Sequence, residues 1–547
     1  MSVTARAARH GRPEGLCQTP AVTAWEHRTR FDVSRAAAAA TLLGLTGIAF
    51  RLWLILTGAP PTNSDEATMG LAALHISQGR DFPIFFYGQH YMGTIEAYLA
   101  APLVAAFGPS PLMLRIPTLL LYAAFLVLAY RLSRRLFTPG FAVATVGLLA
   151  FGADRTVKNQ LIAGGGYPEV SPAAVALFLL AAALGMRATR RRLPAFAAWG
   201  VVAGLLVWNH WLGLPYLAAA TAVLIVGCAR ELWGRAGLVT LVGFGLGAAP
   251  LIGHNLVAPL AQSSPVVFFQ LNGVTEDAPW PDRLVGGFVE GLPLGTGLCA
   301  PSRCEPWQLW WGPVFLVLAL VAAGFYLRAA SRAERAERVR HATALALVVA
   351  GVVSLISYAR SPAAGHTPIE SARYLSLVLV SVPAVIWPLW RAATRPGPAW
   401  RRVAAGAPVA ALAATMAAAT VLLAAEAPAY AERTRRQDGL VAALERLGVT
   451  HFYTEYWSCN RVAFATAERV RCAVLGDELQ PGLDRYPPLR DAVAAAAAPA
   501  YVAPVPSPFD AAVARHLADA GTPVTVDEVP GYRIYRPATR VAPPQLG

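Results

Sequence analysis

Charge is scarce in this 547-residue chain: Asp, Glu, Lys and Arg make up 14% of it, against about a quarter in a typical soluble domain. With 56% of its residues hydrophobic, such scarcity excludes an ordinary soluble enzyme. Apolar runs of about 20 residues, the length that crosses a bilayer core, recur along it. Lysine is scarcer still: Lys158 is the only one, so the 46 basic residues are otherwise arginines and the net charge of +14 is largely theirs. The arginines fall between apolar segments rather than on one face, as topology signals do. The bilayer is therefore an expected partner and nucleic acid is not. Zinc-ligand spacing, a nucleophile elbow and a Walker motif are missing, and the "GGG" at 164–166 lacks the Lys-Ser/Thr of a phosphate-cradling loop. No motif requires a cofactor, although outer carboxylates are compatible with a divalent metal. A cleavable leader is not expected, because residues 1–35 are too long and irregular for its basic region and the run at about 36–57 is long enough to span.

Spanning helices are expected near residues 36–57, 113–132, 139–153, 170–187, 195–210, 212–229, 237–256, 307–327, 342–358, 374–391 and 403–425. Eleven spans place the termini on opposite sides. "RLSRRLFTPG", "RATRRRLP", "RELWGR", "RAASRAERAERVRH" and "RAATRPGPAWRR" share one side with the arginine-bearing N-terminus, which the positive-inside rule makes cytoplasmic. The opposite side receives the long loop 58–112, the loops near 154–169, 257–306 and 359–373, and residues 426–547. Trp307, Trp310 and Trp311 open the eighth span there, as an interfacial belt would. The expected organisation is a cytoplasmic tail (1–35), a transmembrane domain (36–425) and an extracytoplasmic C-terminal domain (426–547), in a plasma (inner) membrane. The last part alternates helix and strand patterns, giving a mainly α polytopic protein with a small C-terminal α/β domain.

Four of the six cysteines form two local pairs, Cys299 with Cys304 and Cys459 with Cys472, all on the outer side. That placement fits two disulfides in an oxidising compartment, with unpaired thiols as the alternative.

The polar residues that remain cluster at the outer face. Arg51 sits in the first span near its outer end, where an intramembrane charge is either functional or snorkels to the interface. Asp65 and Glu66 follow in "PPTNSDEATMG" (60–70). Carboxylates there serve as a general base, hold a metal, or cap the helix beginning near Ala67. By itself the pair reads as a cap; placed outside, beside Arg51 and outer arginines, it reads as catalytic, with any capping role falling to Glu66. "YGQHYMGTIEAYL" offers His90, Tyr91 and Glu96, a composition suited to a sugar face or an isoprenoid edge. "DRTVKNQLIAGGGYPEV" offers Lys158 and Tyr167, while "WNHW" and "PLIGHNL" put His210 and His254 at outer helix ends. Each of these histidines is compatible with a structural role. "YARSPAAGHTPIESARYL" brings Arg360, Arg373 and Tyr374 to the side otherwise poor in arginine, and an anionic phosphate is a reason for them to be there.

The first span with Arg51, "NSDEA" at 63–67, "ALHISQG" at 73–79, "GTIEAYLAAPLVAAFGPSPLMLRIPTLL" at 93–120 and "ARYL" at 372–375 together resemble the GT-C class of membrane glycosyltransferases. The likeness is to its protein O-mannosyltransferase-like and lipid-A aminoarabinose transferase-like branches, and it covers roughly residues 36–425. It implies a polyprenyl-phosphate-linked sugar donor, an extracytoplasmic acceptor (glycan, lipid or protein) and inverting transfer, with Asp65 as catalytic base. Glu66 and Glu96 would support it, Arg51, Lys158, Arg360, Arg373 and Tyr374 would hold the donor phosphate, and His90, Tyr91, Tyr167, His210 and His254 would contact substrate. Where the mannosyltransferases carry an "HP-P" element this chain has "GQHYMGTIEAYL", so neither sugar nor acceptor follows. A transporter or flippase for a lipid-linked substrate and a non-catalytic scaffold are the alternatives. A cysteine introduced into loop 58–112 should react with a membrane-impermeant maleimide in intact cells; reaction only after permeabilisation would invert this topology.

Overall fold

The computed structural model describes residues 20–273, 276–301 and 303–544, with side chains from residue 34 onward. Residues 1–19 of the expected cytoplasmic tail lie outside the described residues. Among those described, eight helices are long and apolar enough to cross a membrane, or eleven when three bent pairs each count as one span. The chain is a mainly α polytopic membrane protein, and all eleven expected segments fall on these helices. The bends are what hydropathy did not register. α1 (Pro20–Leu56) is followed by the loop helices α2 (Ser64–Ser77) and α3 (Ile95–Phe107), then by α4 (Pro111–Leu136). α5 (Pro139–Ala150) and α6 (Asp154–Leu161) meet at 91°, at Gly152 with φ +152°. Its amide donates to Thr420 Oγ1 at 2.8 Å, which satisfies backbone freed by the break.

Arg51 braces that corner. Its guanidinium donates to Ala150 O at the end of α5 (2.9 Å), to Gly47 O (3.2 Å), and to Gln160 Oε1 on α6 (2.6 and 2.9 Å). It lies 3.8 Å above the Tyr122 ring and is fully buried. Every face of the charge is occupied by protein, so the expected role of Arg51 as a phosphate ligand is corrected: its guanidinium has no nitrogen left for a phosphate and does not snorkel.

Helix Arg192–Asn209 crosses helix Arg235–Gly247 at backbone contact. A Cβ on Gly200, Gly204, Gly243 or Gly247 would lie 2.1, 2.2, 2.5 or 2.3 Å from a carbonyl oxygen of the facing helix. This small-xxx-small seam allows close van der Waals packing where lipid offers no hydrophobic driving force between helices.

The final span belongs to a 48-residue helix, Ala399–Arg446, about 70 Å long at 1.5 Å per residue. It leads directly into a five-stranded sheet of order β2-β1-β3-β5-β4. β1 (His451–Thr454) pairs in parallel with β2 (Arg471–Val474) and β3 (Ala500–Pro504), and β5 (Tyr532–Pro537) pairs antiparallel with β3 and with β4 (Val524–Val529). Cys459 and Cys472 join helix Tyr456–Ala465 to β2, and Cys299 and Cys304 close a short loop. Helix Tyr456–Ala465 packs on α2: Asn460 Nδ2 donates to Thr68 Oγ1 at 2.7 Å, and a Cβ on Gly70 would lie 2.7 Å from the Phe464 ring. α2 is thereby buried along most of its length, not laid on a lipid surface.

Substituting Gly204 by Val should cost about 3 kcal/mol through overpacking, seen as a lower Tm in detergent. Gly245→Val on the same helix, where a Cβ meets nothing within 4 Å, should leave Tm nearly unchanged.

Candidate active site

Asn63 caps α2, its Oδ1 accepting from Glu66 N at 2.8 Å, so neither carboxylate side chain caps the helix. Adjacent helical residues point about 100° apart, and this rotation separates Asp65 from Glu66. Glu66 is fully buried and takes a two-pronged ion pair from Arg115, Nε to Oε1 at 2.8 Å and Nη2 to Oε2 at 2.6 Å. Arg115 Nη1 donates to Pro60 O. The expected supporting catalytic role of Glu66 is corrected on this geometry, because both of its oxygens are consumed by a structural partner.

Asp65 faces the C-terminal region. Its Oδ1 accepts from Tyr456 Oη at 2.5 Å and from Arg485 Nη2 at 3.2 Å, and Arg485 Nε donates to Tyr456 Oη at 2.6 Å. The triangle joins residues 420 positions apart. The Arg485 guanidinium lies 4.8 Å from the centre of the Phe86 ring. Burial and the Asp65 charge push the Tyr456 hydroxyl above its ordinary pKa, so it stays protonated and donates. Around this triangle stand several expected residues. Arg373 lies over the rings of Tyr167 (5.9 Å) and Tyr374 (5.5 Å), and its charge acts on Asp65, Tyr91 and His210. Tyr167 and His210 are in ring contact at 4.8 Å.

His210 Nδ1 accepts from Leu212 N at 3.1 Å, which puts the proton of the neutral ring on Nε2, a buried atom without a partner. Burial and the Arg373 charge lower its pKa to about 4, so the ring is neutral at physiological pH. Glu96 is fully buried and accepts from Gly166 N at 2.7 Å through Oε1, while Oε2 has no partner. Burial outweighs that hydrogen bond and raises its pKa to about 7. Glu169 and Asn209 Oδ1 are also buried without partners beside the glycine turn.

The remaining expected residues are placed elsewhere. Lys158 pairs with Asp154 at 3.0 Å, one turn away on α6. Arg360 ends its helix exposed, its carbonyl accepting from Arg283. His90 and His254 stand 5.2 Å apart, both directed at Gln262 O (3.4 and 3.0 Å), and line a separate groove of about 280 Å³ with Phe82, Ile84 and Phe85. Tyr91, next to His90 in sequence, turns toward Trp211 and Phe268. Among the described residues no group of three or more His, Cys, Asp or Glu is placed to hold a metal ion.

No protein-family model and no curated protein matches the sequence. Solved structures do match. The crystal structure of ArnT from Cupriavidus metallidurans bound to undecaprenyl phosphate superposes with a TM-score of 0.55 at 14% identity, over 94% of this chain and 99% of that one. The apo state of the same protein gives 0.53 at 14% identity, over 96% and 100%. The fold is ArnT-like. Coverage of nearly both full chains extends that likeness through the C-terminal region, beyond the stretch that carried the sequence resemblance.

Tyr456 and Arg485 were not among the residues expected from sequence. Nothing local distinguishes Arg485 from the other arginines.

A second contact fastens this region to α2. Glu468 accepts from His75 Nε2 (2.9 Å) and Arg80 Nη2 (2.5 Å). Burial would raise the pKa of its carboxyl, but these two partners hold it at about 2, below the ordinary 4.5. A depressed acid stabilises the folded form above its unfolded pKa, and that contribution is lost as pH falls through the folded value. The Tm of the wild type should therefore fall between about pH 4.5 and 2; Glu468→Gln should start lower and lose this part of the fall.

Proposed function

We propose that this chain is an integral membrane glycosyltransferase that moves a sugar from a polyprenyl-phosphate carrier to a hydroxyl-bearing acceptor on the extracytoplasmic face. The observation that carries the reading is Asp65: a carboxylate at a helix start, in contact with one guanidinium (Arg485), in the field of a second (Arg373) and of Tyr167, and hydrogen-bonded by Tyr456. The ArnT-like fold, and the undecaprenyl phosphate named in one ArnT structure, support a lipid-linked donor. Soluble nucleotide sugars would lie on the cytoplasmic side of this topology.

In the proposed reaction the acceptor hydroxyl loses its proton to Asp65 as its oxygen attacks the anomeric carbon from the face opposite the leaving group. The bond from that carbon to the phosphate oxygen breaks, and the polyprenyl phosphate departs with the electron pair, leaving an inverted anomeric centre. Negative charge grows on the leaving phosphate, where Arg373 would stabilise it. Tyr167, Tyr374 and the Nε2–H of His210 supply hydroxyl and N–H groups for the donor sugar. Glu96, protonated below about pH 7, acts one step back, holding the glycine turn at 164–166 on which Tyr167 stands. Residues 426–547 form the part that covers the site, and the outer placement of the site follows the arginine asymmetry of the loops.

Asp65→Asn keeps the shape and removes the base, so transfer of label from polyprenyl-phosphate sugars to membrane acceptors should fall by about 10²–10⁴-fold. Wild-type transfer by that variant at normal abundance would remove Asp65 from the chemistry.

A further inference from the structure

Arg485 is held differently from the other buried arginines. Arg115 and Arg51 use all of their guanidinium nitrogens on fixed partners. Arg485 gives Nε to the Tyr456 hydroxyl and Nη2 to Asp65 at the longer distance of 3.2 Å, and among the described residues Nη1 makes no hydrogen bond. Asp65 is also its only ion-pair partner among them. Its flat face rests on Phe86, so the stem is steadied while the fork keeps a free donor. Both Arg485 and Arg373 act electrostatically on Tyr91, which places two guanidiniums around one tyrosine with Asp65 within the field of each.

Asp65 meanwhile has one of its two carboxylate oxygens occupied. Its Oδ1 already takes a 2.5 Å hydrogen bond from Tyr456 and a cationic one from Arg485, so an acceptor hydroxyl approaching that oxygen would meet two donors already in place. A phosphate offers Arg485 a better partner than this one long bond, because its oxygens match the guanidinium fork in two parallel hydrogen bonds.

We propose that Arg485 is a donor-binding residue supplied by the C-terminal region. In the empty protein it shares Asp65 Oδ1 with Tyr456; the donor's phosphate draws it away, so phosphate capture and release of the base from this guanidinium are a single exchange of hydrogen-bond partners. No covalent bond changes in this step. The inference rests on the reading of Asp65 as base and of the donor as a polyprenyl-phosphate sugar.

The test measures binding of undecaprenyl phosphate to the purified full-length protein in detergent, without turnover. Arg485→Ala should weaken binding about tenfold or more, as expected for loss of a charge-assisted contact, and Arg485→Lys should recover part of it. Asp65→Asn releases Arg485 and should tighten binding by about three- to tenfold, a coupling of ordinary size. That gain should vanish in Asp65→Asn/Arg485→Ala. Plain repulsion between Asp65 and the phosphate predicts instead that the gain persists without Arg485, and that result would overturn the exchange, as would wild-type binding by Arg485→Ala. Arg485→Gln, which keeps most of the stem over Phe86, gives the same cycle if Arg485→Ala does not fold. Absence of binding in every form, wild type included, would sink both the donor class and this inference; binding without Asp65–Arg485 coupling sinks the exchange alone.

Discussion

The buried pairing of Arg115 with Glu66 sets the orientation of α2 and of the candidate site. Arg115 rises from the first turns of α4, and its three donors take both Glu66 oxygens and the Pro60 carbonyl. That bidentate grip fixes the azimuth of α2, because a helix held at one buried residue has little freedom to roll. Breaking such a pair leaves an uncompensated buried charge and costs about 3–5 kcal/mol. With Glu66 turned inward, Asp65 must point about 100° away, and that direction is where Tyr456 and Arg485 stand. The carboxylate with no reactive task thus aims the one assigned the chemistry.

The second organising element is irregular backbone at membrane depth. Bent spans are tolerated in a bilayer only where protein satisfies the freed amides and carbonyls. Here Arg51 supplies donors to carbonyls and a side-chain amide across the α5–α6 corner, and Thr420 accepts the amide of Gly152. An intramembrane arginine is commonly a sign of function. In this chain the charge acts one level below the chemistry, by holding the bend that carries α6 toward the glycine turn and Tyr167.

Hydropathy and arginine placement made the spans and the mainly α class legible, because burial in lipid constrains every residue of a span and leaves a long, redundant signal. Asp65 was legible as one of a pair. Which member faces the site depended on partners 49 and 420 residues away, and local pattern carries no record of those. Arg373, Tyr374, Tyr167 and His210 were named from the outer loops and do gather near Asp65. His90 and Tyr91, adjacent in sequence, part company because a turn sends their side chains to different clusters. Arg485 stayed hidden for the same reason as the role of Arg51: an arginine's meaning is set by what it touches.

The helix Ala399–Arg446 leaves the last span and enters the sheet-bearing region without a break. It is tied on the way by Thr434 Oγ1 to Gly58 O at 2.8 Å, next to the loop that leads to α2. A flexible linker would let the C-terminal region drift and return; a continuous rod does not. One residue added to its C-terminal half would turn everything beyond by about 100° and lift it about 1.5 Å, parting Tyr456 from Asp65 while leaving every local fold intact. The length of this rod is therefore a coordinate of the site itself, and drift in that length is tolerable only in steps that restore both height and azimuth. Insertions and deletions among relatives with this site should accordingly collect in the loops between strands and spare the rod.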